Sequence, residues 1–158
     1  MYVKRVSPDE ALKLMQSEGW AYVDVRSVPE FEQGHPAGAY NVPLVHMGPD
    51  GSRANLDFLA AMERHFAREA GLVVGCRTSN RAEHAVLMLL RAGYTNVAIQ
   101  GAGFLGTRDF FGRSDPGWGK RGLPCSVVAE PGRSWAELNG GGDELNGGGD
   151  ELNGGGRK

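Results

Sequence analysis

Residues Leu72-Val73-Val74-Gly75-Cys76-Arg77-Thr78-Ser79-Asn80-Arg81 constrain the fold more than any other stretch of the chain. A short apolar run, with no polar alternation, reads as a strand buried on both faces. It passes directly into a cysteine and a polar loop, and a helix over 80–92 begins at once. That helix is apolar almost all round from Ala85 to Leu90, so it is expected to be largely buried. A strand, a short loop and a buried helix make the opening half of a parallel β-α-β unit.

The rest of the chain repeats the theme. Residues 2–6 read as a strand. Ser7-Pro8-Asp9-Glu10 is a helix start, with Ser7 as N-cap, Pro8 at the first helical position and Glu10 completing a capping box. Gly19 stops that helix. Residues 21–25 form the next strand, 29–33 a helical turn, and 39–42 a short strand ended by Pro43. Residues 47–54 are turn-rich. Phe58, Leu59, Met62 and Phe66 at helical spacing predict a helix over 56–69, followed by Gly71. Residues 97–100 are another strand. Alternating strands and helices predict an α/β domain, a mostly parallel central sheet with helices on both faces. Loops at the carboxyl ends of its strands are where ligands bind, so Asp24, Arg26 and Cys76 are expected to converge.

Cys76 is the candidate nucleophile. N–H groups of its loop and of the following helix start point toward the sulfur, and two arginines flank the loop. These surroundings predict a thiol pKa below the free value of about 8.5. The backbone donors from Arg77 through Thr78, Ser79 and Asn80 to Arg81 form a cradle for an anion. Arg81 is expected to hold the loop's shape, and Arg77 to meet anionic donors. Asp24 ends a strand within an apolar run, so its carboxylate needs partners and organises a loop. Arg26 and Glu30 are expected to pair across a turn. His35 reads as a turn histidine bonded to backbone, and Cys125 as incidental.

Several motifs in order then resemble one family. Cys76–Arg81 resembles the active-site loop of the rhodanese family, the thiosulfate and persulfide sulfurtransferases. Asp24-Val25-Arg26 before Glu30-Phe31 is similar to the family's upstream signature, and residues 34–43, Gly34-His35-Pro36-Ala37-Gly38-Ala39-Tyr40-Asn41-Val42-Pro43, follow it. Residues 90–97 and Trp118 with Gly122-Leu123-Pro124 resemble the family's later segments, so the match spans roughly residues 2–126. The resemblance implies a rhodanese-like three-layer domain and covalent catalysis through a Cys76 persulfide. Small sulfur donors and thiol acceptors, with an acceptor protein among the options, are the implied partners.

Two departures stand out. The family loop reads Cys-Arg-x-Gly-x-Arg, and Ser79 occupies the glycine position, where serine is strained if φ is positive. An apparent insertion carries Arg108, Asp109, Phe110, Phe111, Arg113 and Asp115 ahead of Trp118 and is expected to be a surface loop. Two rivals are a cysteine-dependent phosphatase and a relay or partner-binding module. Phosphatase loops place five residues between cysteine and arginine, whereas four stand between Cys76 and Arg81. The tighter ring suits one sulfur atom.

Composition closes off other classes. Glu137-Leu138-Asn139-Gly140-Gly141-Gly142-Asp143 recurs at 144–150 and, truncated, from Glu151. Triple glycines oppose a helix, so 134–158 is expected to be a disordered tail and 1–133 the domain. The tail carries five acidic and two basic residues, leaving the domain at +1 of a total of −2. Near neutrality argues against a nucleic-acid footprint. No apolar window approaches the roughly 18 residues of a membrane span. The four histidines and two cysteines lack metal-ligand spacing, and no cofactor is expected. A free thiol and a start without an apolar signal core point to the cytoplasm, with a monomer or weak dimer expected.

Overall fold

The computed structural model describes residues 3–140. Its elements run β1 (Lys4–Val6), α1 (Pro8–Glu18), β2 (Ala21–Asp24), α2 (Val28–Gln33), β3 (His35–Pro36), β4 (Tyr40–Asn41), β5 (Val45–Gly48), β6 (Gly51–Ala54), α3 (Phe58–His65) and β7 (Leu72–Gly75). Then come α4 (Asn80–Arg91), β8 (Val97–Gln100), β9 (Gly106–Arg108), β10 (Ser114–Pro116), a 3-10 turn (Trp118–Lys120), β11 (Cys125–Ser126) and α5 (Trp135–Leu138).

The central sheet has five strands in the order β1-β8-β7-β2-β4, every neighbouring pair parallel. Side chains alternate across it with a period of two. Val23, Leu72, Val74, Val97 and Ile99 pack with Phe58 and Met62 of α3 and with Val86 and Leu89 of α4. Tyr22, Val73 and Ala98 face the other way, onto Ala11 of α1, Phe31 of α2 and Trp118. The result is the expected three-layer α/β domain.

Local chemistry explains the helix starts. Ser7 and Glu10 form the capping box of α1, and Ser27 and Glu30 form a second one on α2. Gly19, at φ 71°, ends α1 in the left-handed region. The helix expected over 56–69 is shorter. Asn55 holds the preceding turn, donating to Pro43 O (2.7 Å) and accepting from Asp57 N–H (3.0 Å). At the other end the Tyr94 hydroxyl reaches Met62 O (2.9 Å) and Phe66 O (2.8 Å), and Phe66 turns extended. The turn-rich 47–54 segment belongs to a hairpin of β5 and β6, and the insertion is a largely exposed hairpin of β9 and β10. Asp109 Oδ1 accepts from Phe111 N–H and Arg113 N–H, both at 2.9 Å, and so fixes its tip.

The tail boundary needs correction. Ser134 and Glu137 make a third capping box, and α5 lays Leu138, 2% exposed, into the core. Arg64 Nη2 (3.1 Å) and His65 Nε2 (2.6 Å) meet Leu138 O. One leucine from the first repeat is therefore enough, because Trp135 and α3 supply the surface it packs against. Residues 141–158 of the expected tail lie outside the described residues.

Candidate active site

Parallel pairing puts the carboxyl ends of β2 and β7 side by side, with Asp24 level with Gly75. Cys76 follows directly and continues the inward alternation of Leu72 and Val74. It is 2% exposed and belongs to the core beside α4. The Ala82 N–H donates to Sγ at 3.4 Å. Burial pushes the Cys76 thiol above its ordinary pKa, against the pull of that N–H, the Arg81 charge and the Thr78 and Arg81 N–H groups. The expected lowering is thus overturned. The loop does aim donors at sulfur, but the strand carries the sulfur too deep for them to prevail in the resting protein.

Ser79 needs no glycine conformation: its φ is −156°. Serine therefore fits where the family pattern has glycine. Thr78 and Ser79 are half-buried, and Arg77 and Asn80 are exposed on the outer side of the loop. Among the described residues the Arg77 guanidinium forms no ion pair.

The carboxylates pair differently from the sequence expectation. Glu30 does not hold Arg26; it binds Arg81 through two bonds, Nη1 to Oε1 (2.8 Å) and Nη2 to Oε2 (3.1 Å). Burial would raise the Glu30 carboxyl, but Arg81 and the Ser27 donors bring it down to about 2. Arg26 instead turns back on Asp24. Its Nε and Nη2 lie 2.7–3.1 Å from the two carboxylate oxygens, and Nη2 also donates to Gly34 O at 2.6 Å. The two-residue separation of Asp24 and Arg26 closes this pair, leaving Glu30 free to reach the loop across 51 residues of sequence. Asp24 is the expected loop organiser, of its own turn. It accepts from Arg26 N–H at 3.0 Å, while its carbonyl receives Asn41 Nδ2 at 3.1 Å.

His35 is buried, stacked on Phe31 at 3.6 Å, with Nδ1 2.7 Å from Phe31 O, as a structural turn histidine. Cys125 is exposed, on β11 against β3. It lines a cavity of about 640 Å³ with Gly34, Phe104, Leu105 and Lys120.

Sequence reasoning missed the segment that grips the loop from behind. Phe104 N–H donates to Cys76 O (2.8 Å) and Leu105 N–H to Arg77 O (3.0 Å). The available signal was Gln100, a polar residue ending an apolar strand just before Gly101-Ala102-Gly103.

The comparisons agree with this geometry. Residues 7–107 match the Rhodanese-like domain. The chain is 39% identical over 109 residues to "Thiosulfate sulfurtransferase 16, chloroplastic" of Arabidopsis thaliana, covering 69% of this chain and 82% of that one. It is 32% identical over 98 residues to the senescence-associated protein DIN1 of Raphanus sativus, covering 62% of this chain and 54% of that relative. Among solved structures, Rv0390 from M. tuberculosis aligns with a TM-score of 0.66 at 27% identity, over 81% of this chain and 100% of that one. With the parallel sheet, the buried cysteine at the end of β7 and the arginine-closed loop in agreement, the chain belongs to the rhodanese-like domain family.

Proposed function

We propose that this chain is a sulfurtransferase that carries sulfane sulfur on Cys76. The thiolate attacks the outer sulfur of thiosulfate or of a persulfide. The Cys76 Sγ–S bond forms as the donor's S–S or S–SO3 bond breaks, and the electron pair leaves with the thiolate or sulfite. An acceptor thiol or cyanide then takes the terminal sulfur and returns the Cys76 thiolate. The observation that carries this reading is the small cradle: N–H groups aimed at Sγ, with four residues before Arg81 closes the loop onto Glu30. That ring offers its donors to a single terminal sulfur atom. The 39% identical thiosulfate sulfurtransferase supports the same chemistry. Small sulfur donors and thiol acceptors are the partners required, and a reducing compartment such as the cytoplasm suits them.

Because burial raises the resting thiol above its ordinary range, the loading step should accelerate as pH rises and more thiolate forms. Incubation with thiosulfate should add one sulfur atom, located on Cys76 and removed by cyanide or dithiothreitol. Cys76→Ser should abolish the gain, and Cys125→Ser should retain it. A wild-type chain that never gains the sulfur, yet hydrolyses aryl phosphates, would overturn the assignment.

A further inference from the structure

Gln100 closes β8 on the face of the sheet opposite Cys76, in line with Ala98, and its side chain is fully buried. A buried amide on an apolar face must find partners. Gln100 finds three. Its Nε2 donates to Gly103 O (2.9 Å) and to Tyr22 Oη (3.2 Å), and its Oε1 accepts from Gly103 N–H (2.9 Å). Gly103 is thus held at both backbone groups, in a left-handed turn at φ 73°.

That turn presses on the sulfur-binding loop. A Cβ on Gly103 would overlap Arg77 O and Thr78 O, so the loop's carbonyl edge lies directly against it. The next two residues, Phe104 and Leu105, donate to Cys76 O and Arg77 O. In a trans peptide the N–H points away from the carbonyl of the same unit. Pinning Arg77 O outward therefore turns the Thr78 N–H inward, where it acts on the Cys76 sulfur.

We infer that Gln100 is a positioning residue for Cys76: by clamping the Gly103 turn it fixes which edge of the 76–78 backbone faces the sulfur. The inference rests on reading Cys76 as the sulfur carrier. Tyr22 belongs to the same device. Its hydroxyl oxygen is an acceptor for Gln100 and lies against Gly75, the residue before Cys76.

The test uses the full chain carrying Cys125→Ser, so that Cys76 alone is alkylated by iodoacetamide. Gln100→Met keeps the length of the side chain and removes both polar groups. It should raise the pH midpoint of Cys76 alkylation by about half to one unit, the size of one lost donor. Met62→Ala, a core truncation on α3, should lower the melting temperature without moving the midpoint. A Gln100→Met midpoint within about 0.2 unit of the parent, or an equal rise in Met62→Ala, would overturn the inference. Should Gln100→Met fail to fold, amide exchange on the parent decides. Gly103 and Phe104 protected like Ile99 support the clamp, and exchange as fast as the exposed Gly112 overturns it. Loading by thiosulfate is read separately by mass. A parent that never gains sulfur removes the proposed activity, whereas an unmoved midpoint in a chain that does load removes only the role of Gln100.

Discussion

Replacing Glu30 with glutamine isolates the charge that closes the sulfur loop. Glutamine keeps the shape and still accepts the Ser27 N–H as the third residue of a capping box, so α2 retains its start. What is lost is the negative charge on Arg81. The carboxyl moves from 4.5 in the unfolded reference to about 2 in the fold. At about 1.4 kcal/mol per pH unit that displacement corresponds to about 3 kcal/mol. The side chains of Arg81 and Glu30 are 21% and 25% exposed, so solvent screening brings the expected value to about 2 kcal/mol. The folded pKa lies below the unfolded one. Its contribution is therefore complete above about pH 5.5 and disappears as pH falls through 4.5 toward 2. Glutamine imitates the protonated acid throughout. Urea denaturation should show Glu30→Gln less stable than the parent by about 2 kcal/mol at pH 7 and by less than half of that at pH 3. Sulfur loading should slow as well, since Arg81 loses its anchor. A gap equal at the two pH values, or under about 0.5 kcal/mol at pH 7, would refute the reasoning.

Two further outcomes are expected. Leu138→Ala should cost about 2–4 kcal/mol in a urea melt, and ending the chain after Arg133 should cost at least as much, whereas ending it after Gly140 should cost little. An unchanged midpoint after the Arg133 cut would place α5 outside the fold. Gly75→Ala should destabilise by about 2 kcal/mol or more, because its Cβ would overlap the Tyr22 hydroxyl, and Tyr22→Phe in the same chain should recover part of that loss. Equal stability of Gly75→Ala and the parent would show that the hydroxyl moves aside freely.

The layered fold was readable because its signals are local. Ser7-Pro8-Asp9-Glu10 caps a helix wherever it stands, and Leu72–Gly75 has no polar side to offer solvent. The candidate loop was readable for the same reason, as ten contiguous residues. Partner choice among charges was not. Arg26 lies near both Asp24 and Glu30 in sequence, whereas Arg81, which claims Glu30, stands 51 residues away from it. The depth of Cys76 was equally hidden, because it depends on how far β7 carries the sulfur toward α4. In residues 134–140 composition misled. Glycine density said nothing of the surface beside α3 that receives Leu138.

The strand order also bears on how such a chain is made. Lys4 pairs with Ala98 and Val6 with Gln100, so β1 waits for nearly the whole central sheet to be synthesised before it gains a neighbour. The strands β2 and β7, which carry Asp24 and Gly75, meet earlier, yet α3 is not roofed until Leu138 emerges. Contacts this distant in sequence make closure slow relative to local helix formation. During synthesis the Cys76 thiol therefore sits on an unfinished sheet, open to solvent oxidants, until the strands and helices of the core close around it.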